Sequence, residues 1–307
     1  MTASLKGAPA GVPLSVCPRV RQGAGMITSG ATAAFDAAER AMWAGRARAY
    51  EASFGRLCAH PVPRLLEAAR VAGGSRVLDV GTGTGTAARA ARERGARVSA
   101  VDADPDMVAR ARRHGIAAEV AVLPELPFPD EEFDAVLANF VLNHVGRPRA
   151  ALAELRRVLR PGGRIALTLW GARRGAGQEL LGRACAAGGA VPPAYLPRLD
   201  PAEDFPRTPG GLAALLAEAG FDGPRAAELE WAHRAGAEEW WGGAAGGIAT
   251  AGLVLGAQDA GTVARIRGEY DRLCAEFARD GEGRLVLPHV ALLARATARP
   301  PLSRRFG

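Results

Sequence analysis

The stretch that decides the fold is Val77-Leu78-Asp79-Val80-Gly81-Thr82-Gly83-Thr84-Gly85, in which a short apolar run passes directly into three glycines at alternate positions. The apolar run predicts a buried β-strand, and the residues that follow Gly85 have the composition of a helix. Glycines at such a turn adopt backbone angles that other residues avoid, and they let a ligand lie against bare backbone. The segment therefore predicts a strand–turn–helix unit with a ligand site at the turn.

Strands and helices alternate at short intervals around this turn. Seven strands are predicted from short, mostly apolar runs, at residues 75–80, 97–102, 116–123, 133–139, 164–170, 227–232 and 285–296. Helices are predicted between most of these strands, and this alternation is typical of βαβ units with helices on both faces of a parallel sheet. We therefore expect the α/β class, with a doubly wound, mostly parallel seven-stranded sheet and helical cap elements.

The segments that flank this alternating core differ from it in composition. Residues 1–30 are rich in Gly, Pro, Ala and Ser and show no period, which predicts a flexible arm. Residues 31–72 carry apolar side chains at helical spacing, so we expect one long helix and a shorter one that act as a lid. The cofactor-binding core is expected over 73–170. The irregular segments 171–210 and 237–280, the latter helical in two pieces, are predicted to form a cap at the carboxyl edge of the sheet.

Composition and charge narrow the class of protein. Of the 307 residues, 48% are hydrophobic and 23% are charged, which is enough apolar material for a sizeable core. The four cysteines form no CxxC pair, so we expect no metal and no disulfide framework. The net charge of +7 comes from arginines interleaved with acidic residues, which argues against a nucleic-acid partner. No stretch is hydrophobic enough for a membrane span, so we expect a cytoplasmic protein without a membrane partner, for which a homodimer is possible.

Two carboxylates indicate which cofactor the glycine turn binds. Asp102 lies 21 residues after Gly81 at the end of the next predicted strand, where a carboxylate accepts hydrogen bonds from both hydroxyls of a ribose. Asp79 precedes the glycines, where its charge would repel a pyrophosphate but would attract an ammonium or a sulfonium group. The turn therefore favours S-adenosylmethionine over a dinucleotide.

Several motifs in the same order make the sequence resemble the class I S-adenosylmethionine-dependent methyltransferases, and among them the small-molecule branch related to ubiquinone and menaquinone C-methyltransferases. The motifs are Asp79–Gly85, Asp102, Leu126-Pro127-Phe128, Glu154, Arg157-Val158-Leu159 and Pro161-Gly162-Gly163. The resemblance is strong over 75–170 and loose over 40–74 and 210–296. It implies a single methyltransferase domain over 31–307 and S-adenosylmethionine as the cofactor.

The resemblance also implies which residues bind the cofactor. These are Asp79, Gly81, Thr82, Gly83, Gly85, Asp102, Ala103, Met107, Val122, Leu123 and Asn139. One position departs from the family, which commonly has an aspartate after the third strand to bind the adenine amino group. Here that position is Val122, followed by Leu123, so we expect the adenine to be held by backbone amides and by packing against Ala103 and Met107.

Methyl transfer from a sulfonium is an in-line displacement with a good leaving group, so the protein mainly supplies alignment and a dry pocket. A base is needed only where the acceptor must lose a proton. His144, which follows the fourth strand, and His233, just past the sixth, are candidates, and Tyr50 is a further catalytic candidate. The alternative for His144 is that it caps or packs a helix. His289 lies inside the last strand and is expected to be structural.

Aromatic residues concentrate in the segments expected at the carboxyl edge of the sheet. We predict acceptor contacts from Trp43, Tyr50, Asn143, Trp170, Trp240 and Trp241. Packing in the core is the alternative for residues at helical spacing, but all five tryptophans of the chain fall in or next to these segments. This bias predicts a flat, aromatic acceptor stacked among them.

These observations predict a methyltransferase that acts on a small aromatic or heteroaromatic natural product. A quinone-type C-methyltransferase of primary metabolism and a non-catalytic protein that binds S-adenosylmethionine remain as alternatives. Methylation of DNA amino groups is disfavoured, because the chain reads Asn139-Phe140-Val141-Leu142 after the fourth strand, without the two prolines of those enzymes.

Overall fold

Seven strands form one sheet at the centre of the protein, whose computed structural model describes residues 30–194 and 198–299. The strands are β1 (Arg76–Val80), β2 (Arg97–Asp102), β3 (Ala118–Val120), β4 (Phe133–Asn139), β5 (Leu159–Leu169), β6 (Phe221–Ala235) and β7 (Leu285–Ala298). Their order is β3-β2-β1-β4-β5-β7-β6. Strands β1 to β5 pair in parallel, and β7 alone runs in the opposite direction, so its pairings with β5 and β6 are antiparallel. The predicted α/β class with a mostly parallel, seven-stranded sheet is confirmed.

Twelve α-helices surround this sheet within the described residues. They are α1 (Gly30–Trp43), α2 (Ala47–Ala52), α3 (Phe54–Ala59), α4 (Val62–Ala68), α5 (Thr86–Glu93), α6 (Pro105–Arg113), α7 (Pro148–Val158), α8 (Ala176–Ala187), α9 (Pro209–Glu218), α10 (Ala237–Ala245), α11 (Ala249–Gly256) and α12 (Ala260–Cys274). No helix in these ranges combines the length and the hydrophobicity that are needed to cross a membrane.

Successive side chains of β1 explain why its sequence is almost continuously apolar. Val77 packs against α4 and α5 on one face of the sheet, whereas Leu78 and Val80 pack against α7 on the other. A parallel strand covered by helices on both faces has no solvent side, so both sets of alternate residues are apolar. On α7, Leu152 and Leu155 are fully buried in the same core, where truncation of each to alanine would cost about 2–5 kcal/mol of folding free energy.

The N-terminal segment forms four short helices rather than the predicted long helix followed by one shorter helix. The helical spacing of its apolar residues continues past residue 43, but Gly45 adopts a φ of +72° and ends α1. Ser53, with a φ of −135°, then separates α2 from α3. The predicted arm over 1–30 lies outside the described residues, apart from Gly30.

The cap, defined here as α8 together with α10, α11 and α12, packs at the carboxyl edge of the sheet. Helices α10 to α12 are inserted between β6 and β7, and these two strands pair along their whole length to Ala235 and Leu285 at the cap. Two helices were expected over 237–280, and the structure has three, α10, α11 and α12. Gly247, at a φ of +83°, separates α10 from α11, and the Asp259 carboxylate accepts a hydrogen bond from the Thr262 amide at 2.9 Å to begin α12.

Candidate cofactor and acceptor site

A cavity of about 900 Å³ lies at the carboxyl edge of the sheet, between the loop that follows β1 and the cap. The predicted residues in its wall are Trp43, Tyr50, Gly81, Gly83, Asp102, Ala103, Met107, Val122, Leu123, Asn139, Asn143, His144, Trp170 and Trp240. The predicted residues outside its wall are Asp79, Thr82, Gly85, His233 and Trp241. The topology thus brings cofactor and acceptor candidates from distant parts of the sequence into one space.

Two glycines of the loop after β1 lie close to side chains from other elements. Gly81 and Gly83 have φ values of +61° and +55°, in the left-handed region that favours glycine. A Cβ at Gly81 would lie 2.6 Å from Cγ2 of Val141, and a Cβ at Gly83 would lie 3.5 Å from Cε1 of Tyr50. Both glycines line the cavity, so a ligand there would meet backbone rather than side chains.

Gly85 packs in the core and does not line the cavity. Its φ is +89°, and a Cβ there would lie 3.1 Å from Cγ1 of Ile116 and 3.4 Å from Cβ of Ala111. Because Ala111 is on α6, the absence of a side chain at Gly85 lets α6 pack closely against the start of α5. We therefore assign Gly85 to packing and not to direct cofactor contact.

Asp79 and Thr82 stabilise the loop from beneath. The Oδ2 atom of Asp79 accepts hydrogen bonds from the Thr82 hydroxyl at 2.7 Å and from the Ala88 amide at 2.9 Å, which ties the loop to α5. The other carboxylate oxygen of Asp79 is buried and has no partner among the described residues. Burial of the carboxyl group raises the pKa of Asp79 to about 7.

Asp102 faces the cavity from the end of β2. Its Oδ2 atom accepts a hydrogen bond from the Gly83 amide at 2.7 Å, and Oδ1 accepts one from the Asp104 amide at 2.9 Å. A carboxylate has about four lone-pair positions, so each oxygen can accept a further hydrogen bond from a ligand hydroxyl. Burial raises the pKa of Asp102, although the two backbone hydrogen bonds oppose this effect.

Apolar residues line the cavity together with Asp102. They are Ala103, Met107, Val122 and Leu123. Asn139 lies at the end of β4, where its amide nitrogen donates to the Cys58 carbonyl at 2.8 Å. The apolar character of these residues suits a planar heterocycle next to a ribose bound at Asp102.

This part of the cavity fits S-adenosylmethionine on its own features. Two positive-φ glycines leave bare backbone in the wall, and the carboxylate of Asp102 retains acceptor capacity toward the same space. Asp79 is buried beneath the loop with one oxygen unpartnered, and a cationic ligand at the loop would favour its ionised form, whereas a pyrophosphate would oppose it.

Tyr50 and Cys58 are buried neighbours next to the glycine loop. Burial raises the pKa of both groups, that of Cys58 to about 12. Tyr50 therefore stays protonated at neutral pH and can donate or accept a hydrogen bond, but it does not act as a base.

His144 lies in a short 3₁₀ helix after β4 and is held by α1. Its Nδ1 atom is 2.7 Å from Oε2 of Glu39, and its ring meets the Trp43 ring edge to face at a centroid distance of 5.2 Å. Glu39 is buried, so the carboxylate fixes the orientation of the imidazole and directs hydrogen to Nδ1. The Nε2 atom then retains a lone pair, as a general base requires.

Asn143 positions Trp170 instead of offering its amide to a ligand. Its Oδ1 atom accepts a hydrogen bond from the Trp170 amide at 2.9 Å. The Trp170 ring stacks on Phe140 at a centroid distance of 4.1 Å. Phe140 itself has a φ of +60°, a strained conformation for a bulky residue, which suggests that the site requires its ring at this place.

His233 and Trp241 lie apart from the cavity wall. His233 is fully buried with its Nδ1 atom 3.2 Å from Nε2 of His60, and burial lowers the pKa of His233 to about 4. Trp241 packs on Tyr270 at 5.2 Å and under the guanidinium of Arg267. The prediction that His233 is a base and that Trp241 contacts the acceptor thus has no geometric support.

Sequence reasoning missed several wall residues. His289 was expected to be structural but lines the cavity, as do Phe54, Gln178 and the start of α11 at residues 248–251. The sequence did contain a signal for the last segment. Residues 240–258 carry no charge, yet they are too weakly hydrophobic for a membrane span, which is consistent with a buried position at a cavity. No group of three or more potential metal ligands occurs in the part of the chain that the structure describes.

Comparison with known proteins supports the same assignment. A family model described as a methyltransferase domain matches residues 78–167. A demethylmenaquinone methyltransferase of Clavibacter sepedonicus is 43% identical over 100 residues, which are 31% of this chain and 40% of that protein. The chain therefore spans less than half the length of that relative.

Two further proteins extend the comparison beyond the core. A phosphatidylethanolamine N-methyltransferase of Cereibacter sphaeroides is 34% identical over 188 residues, which are 54% of this chain and 90% of that protein. Among solved structures, the YcgJ protein of Bacillus subtilis has the same fold, with a TM-score of 0.50 and 20% identity over 79% of this chain and 99% of its own. With these similarities added to the strand order and the loop at β1, the chain belongs to the class I S-adenosylmethionine-dependent methyltransferases, enzymes that use S-adenosylmethionine as cofactor.

Proposed function

We propose that the protein transfers a methyl group to a small, flat acceptor of the aromatic or heteroaromatic natural-product class. One observation carries this proposal: a continuous cavity of about 900 Å³ joins the glycine loop to a wall of aromatic side chains under the cap. Pockets for small molecules measure about 300–1,000 Å³, so this space suits a cofactor and a small acceptor side by side.

The aromatic wall favours a flat acceptor. Phe54 stacks on Trp240 at a centroid distance of 4.8 Å, and Phe140 stacks on Trp170 at 4.1 Å. All four rings line the cavity, and two of them come from the cap or the segment after β5. Stacked aromatic pairs contribute about 0.5–1.5 kcal/mol beyond the area that they bury, so a planar acceptor between such pairs would be well stabilised.

S-adenosylmethionine, when bound, supplies the methyl group on a sulfonium. The chain's own residues hold the reactants and exclude water: Gly83 and Asp102 support the cofactor, and the cap closes the acceptor end. The protonated Tyr50 lies against the same loop, where its ring limits the orientations that a bound ligand can take next to Gly83. His144, oriented by Glu39, is the group that can take a proton from an acceptor hydroxyl or amine as the new bond forms.

A transfer assay tests the proposal. The full chain is incubated with S-adenosylmethionine carrying a labelled methyl group and with a panel of hydroxylated aromatics, demethylmenaquinone and phosphatidylethanolamine vesicles. Label is expected in an aromatic product. Transfer to the vesicles or to the quinone alone would contradict the aromatic acceptor class.

The demethylmenaquinone methyltransferase of Clavibacter sepedonicus favours a second candidate, a quinone-type C-methyltransferase. The match to that relative covers 31% of this chain and 40% of that protein. A quinone acceptor predicts that the protein pellets with liposomes, whereas the proposed acceptor class does not.

A further inference from the structure

A second, smaller pocket lies at the amino edge of the sheet, where the parallel strands begin. This amino-edge pocket measures about 360 Å³ and lies between the end of α4 and the starts of β1, β4 and β5. Its charged residues are Arg70, Asp134, Arg160 and Arg164. The charge of Asp134 is already matched, because its Oδ1 atom lies 2.5 Å from Nε of Arg160 and its Oδ2 atom accepts a hydrogen bond from the Arg76 amide at 2.7 Å. Two arginines remain.

The guanidinium groups of Arg70 and Arg164 form no hydrogen bond or ion pair with any residue that the structure describes. Glu67, the acid closest to Arg70 in the sequence, pairs instead with Arg64 at 3.2 Å. Arg70 is exposed and Arg164 is half-buried, so solvent and solutes reach both groups. The pocket therefore presents two accessible positive charges without a counterion.

Two further arginines extend this charge along the same face of the sheet. The strand register places Arg295 of β7 diagonally across from Arg164, and Arg225 of β6 directly opposite Arg295. Like charges at facing positions of neighbouring strands destabilise a sheet. Burial of Arg164 lowers its pKa, and the charges of Arg70 and Arg295 lower it further. An anion bound among these side chains would remove the repulsion.

The backbone of Arg70 is a second, independent feature. Arg70 has a φ of +54°, in the left-handed region, at the point where α4 has ended. Glycine is the usual residue at such a position, because it adopts this conformation without strain. Non-glycine residues held in sparsely populated backbone regions concentrate at functional sites, including places where a side chain clamps a ligand. The conformation of Arg70 thus agrees with a ligand-binding role for its guanidinium.

We propose that the amino-edge pocket binds a small ligand that carries a diphosphate group, with Arg70 and Arg164 as the two cations that hold it. A guanidinium presents several donors in a planar fork that matches phosphate oxygens, and it keeps its charge at physiological pH. A carboxylate carries one negative charge, whereas a diphosphate carries enough to compensate Arg70, Arg164 and Arg295 together. The volume of the pocket is at the lower end of the range for small-molecule sites.

The surroundings of the pocket favour a free ligand over a membrane surface. Protein surfaces that dock on anionic lipids combine basic residues with apolar side chains that enter the headgroup region. Among the described residues, exposed large apolar side chains occur at Val120, Val122 and Val191, and none of these lines the amino-edge pocket. The site is also separate from the catalytic cavity, with which it shares no residue, so this inference does not depend on the proposed acceptor.

Isothermal titration calorimetry of the full chain with inorganic pyrophosphate, at physiological ionic strength and without divalent metal, tests the site. We expect saturable binding at one site, and a loss of affinity of about tenfold or more in Arg70→Gln and in Arg164→Gln. Pyrophosphate should raise the thermal unfolding temperature of the unmodified protein and not that of either variant. Because each substitution removes a like-charge repulsion, both variants should unfold at no lower temperature than the unmodified protein when no ligand is present.

Arg97→Gln is the matched control. Arg97 lies at the amino end of β2, is exposed and has no described side-chain partner, but it lies outside the pocket. This variant should keep its full affinity for pyrophosphate, and all three variants should bind S-adenosylhomocysteine as the unmodified protein does. Absence of pyrophosphate binding, or an equal loss in Arg97→Gln, would overturn the site. Binding to phosphatidylglycerol vesicles without binding of pyrophosphate would also overturn it, and would assign the arginines to a membrane surface.

Discussion

The ring of Tyr50 covers the backbone of Gly83, so that a Cβ at Gly83 would lie 3.5 Å from Cε1 of the tyrosine. Tyr50, on α2, and Gly83, in the loop after β1, come from separate elements and both line the cavity. A ligand part that lies against Gly83 therefore also meets the Tyr50 ring. This contact makes the loop sensitive to any added side chain.

We expect Gly83→Val to abolish cofactor binding while the fold survives. Valine is strained at the φ of +55° observed here, and its methyl groups would enter the space beside Tyr50. Calorimetric titration with S-adenosylhomocysteine measures the loss, and circular dichroism checks the fold. Gly74→Val is the control, because Gly74 also has a positive φ, of +81°, but a Cβ there would meet open space, and the residue lies outside the cavity. Persistent binding in the Gly83 variant would mean that the loop is only a turn.

Asp102→Ala should weaken cofactor binding by more than tenfold. The substitution removes the acceptors for two ligand hydroxyls, each of which contributes about 1.5–3 kcal/mol when bonded to a charged group. It also releases the Gly83 amide from its 2.7 Å hydrogen bond. Asp102→Asn, which keeps one acceptor oxygen, should lose less. Titration with S-adenosylhomocysteine compares the two variants, and unchanged affinity in a folded Ala variant would refute the assignment.

Asp79→Asn should stabilise the cofactor-free protein, more so at pH 8 than at pH 5. The pKa of this carboxyl group is about 7 in the folded chain against 3.8 for an ordinary aspartate, so the folded state binds the proton more tightly than the unfolded state. Stability from this group is complete below pH 3.8 and is lost as the pH rises through 7. The full shift corresponds to at most about 4 kcal/mol. Urea unfolding at both pH values measures the effect, and an equal gain at pH 5 and pH 8 would contradict the raised pKa of Asp79.

His144→Ala and Glu39→Gln should lower turnover at least tenfold and leave cofactor affinity unchanged. The first removes the candidate base, and the second removes the carboxylate that orients it at 2.7 Å. Steady-state kinetics over a range of pH, together with cofactor titration, separate this role from packing. Full turnover of His144→Ala at every pH would show that no base is needed there, and joint loss of stability and cofactor binding would mark both residues as core.

Trp43→Ala should mainly raise the Michaelis constant for the acceptor, by about fivefold. Trp43 meets the rings of both Tyr50 and His144 edge to face, and such aromatic contacts are worth about 0.5–1.5 kcal/mol each. Trp43→Phe keeps an aromatic ring and should behave nearly as the unmodified protein. A fall in kcat with an unchanged Michaelis constant would contradict a role in acceptor binding.

The cofactor half of the site could be predicted from the sequence because its residues are adjacent to strand ends. Strands β2 and β4 begin and end where the apolar runs predict, and Gly81, Gly83 and Asp102 follow or end such strands. A parallel sheet brings the carboxyl ends of its strands to one edge, so local pattern was sufficient to place these side chains together.

The acceptor half depends on contacts between distant residues, which a local pattern does not report. His289 has the sequence context of a buried strand residue, and only the return of the chain through α10 to α12 places it beside Trp240. Strand β6 was predicted over 227–232 but spans Phe221–Ala235, because its edge position leaves many side chains polar and a bulge at Gly223 interrupts the alternation. Strand β3 spans only Ala118–Val120 of the predicted 116–123, because the chain turns back directly after it and Val122 forms an isolated bridge with Glu125.

The insertion of α10 to α12 between β6 and β7 separates the cap's part of the cavity wall from the cofactor residues along the chain. Residues 236–284 leave the sheet at one strand and return at the next, so they form a cassette whose ends are fixed by the pairing of Ala235 with Leu285. The residues assigned to the cofactor all lie before Leu169. We therefore expect exchange of the cassette for one of different length or lining to alter the part of the cavity wall that Trp240 and residues 248–251 supply, while the hydrogen bond between Asp102 and the Gly83 amide is kept.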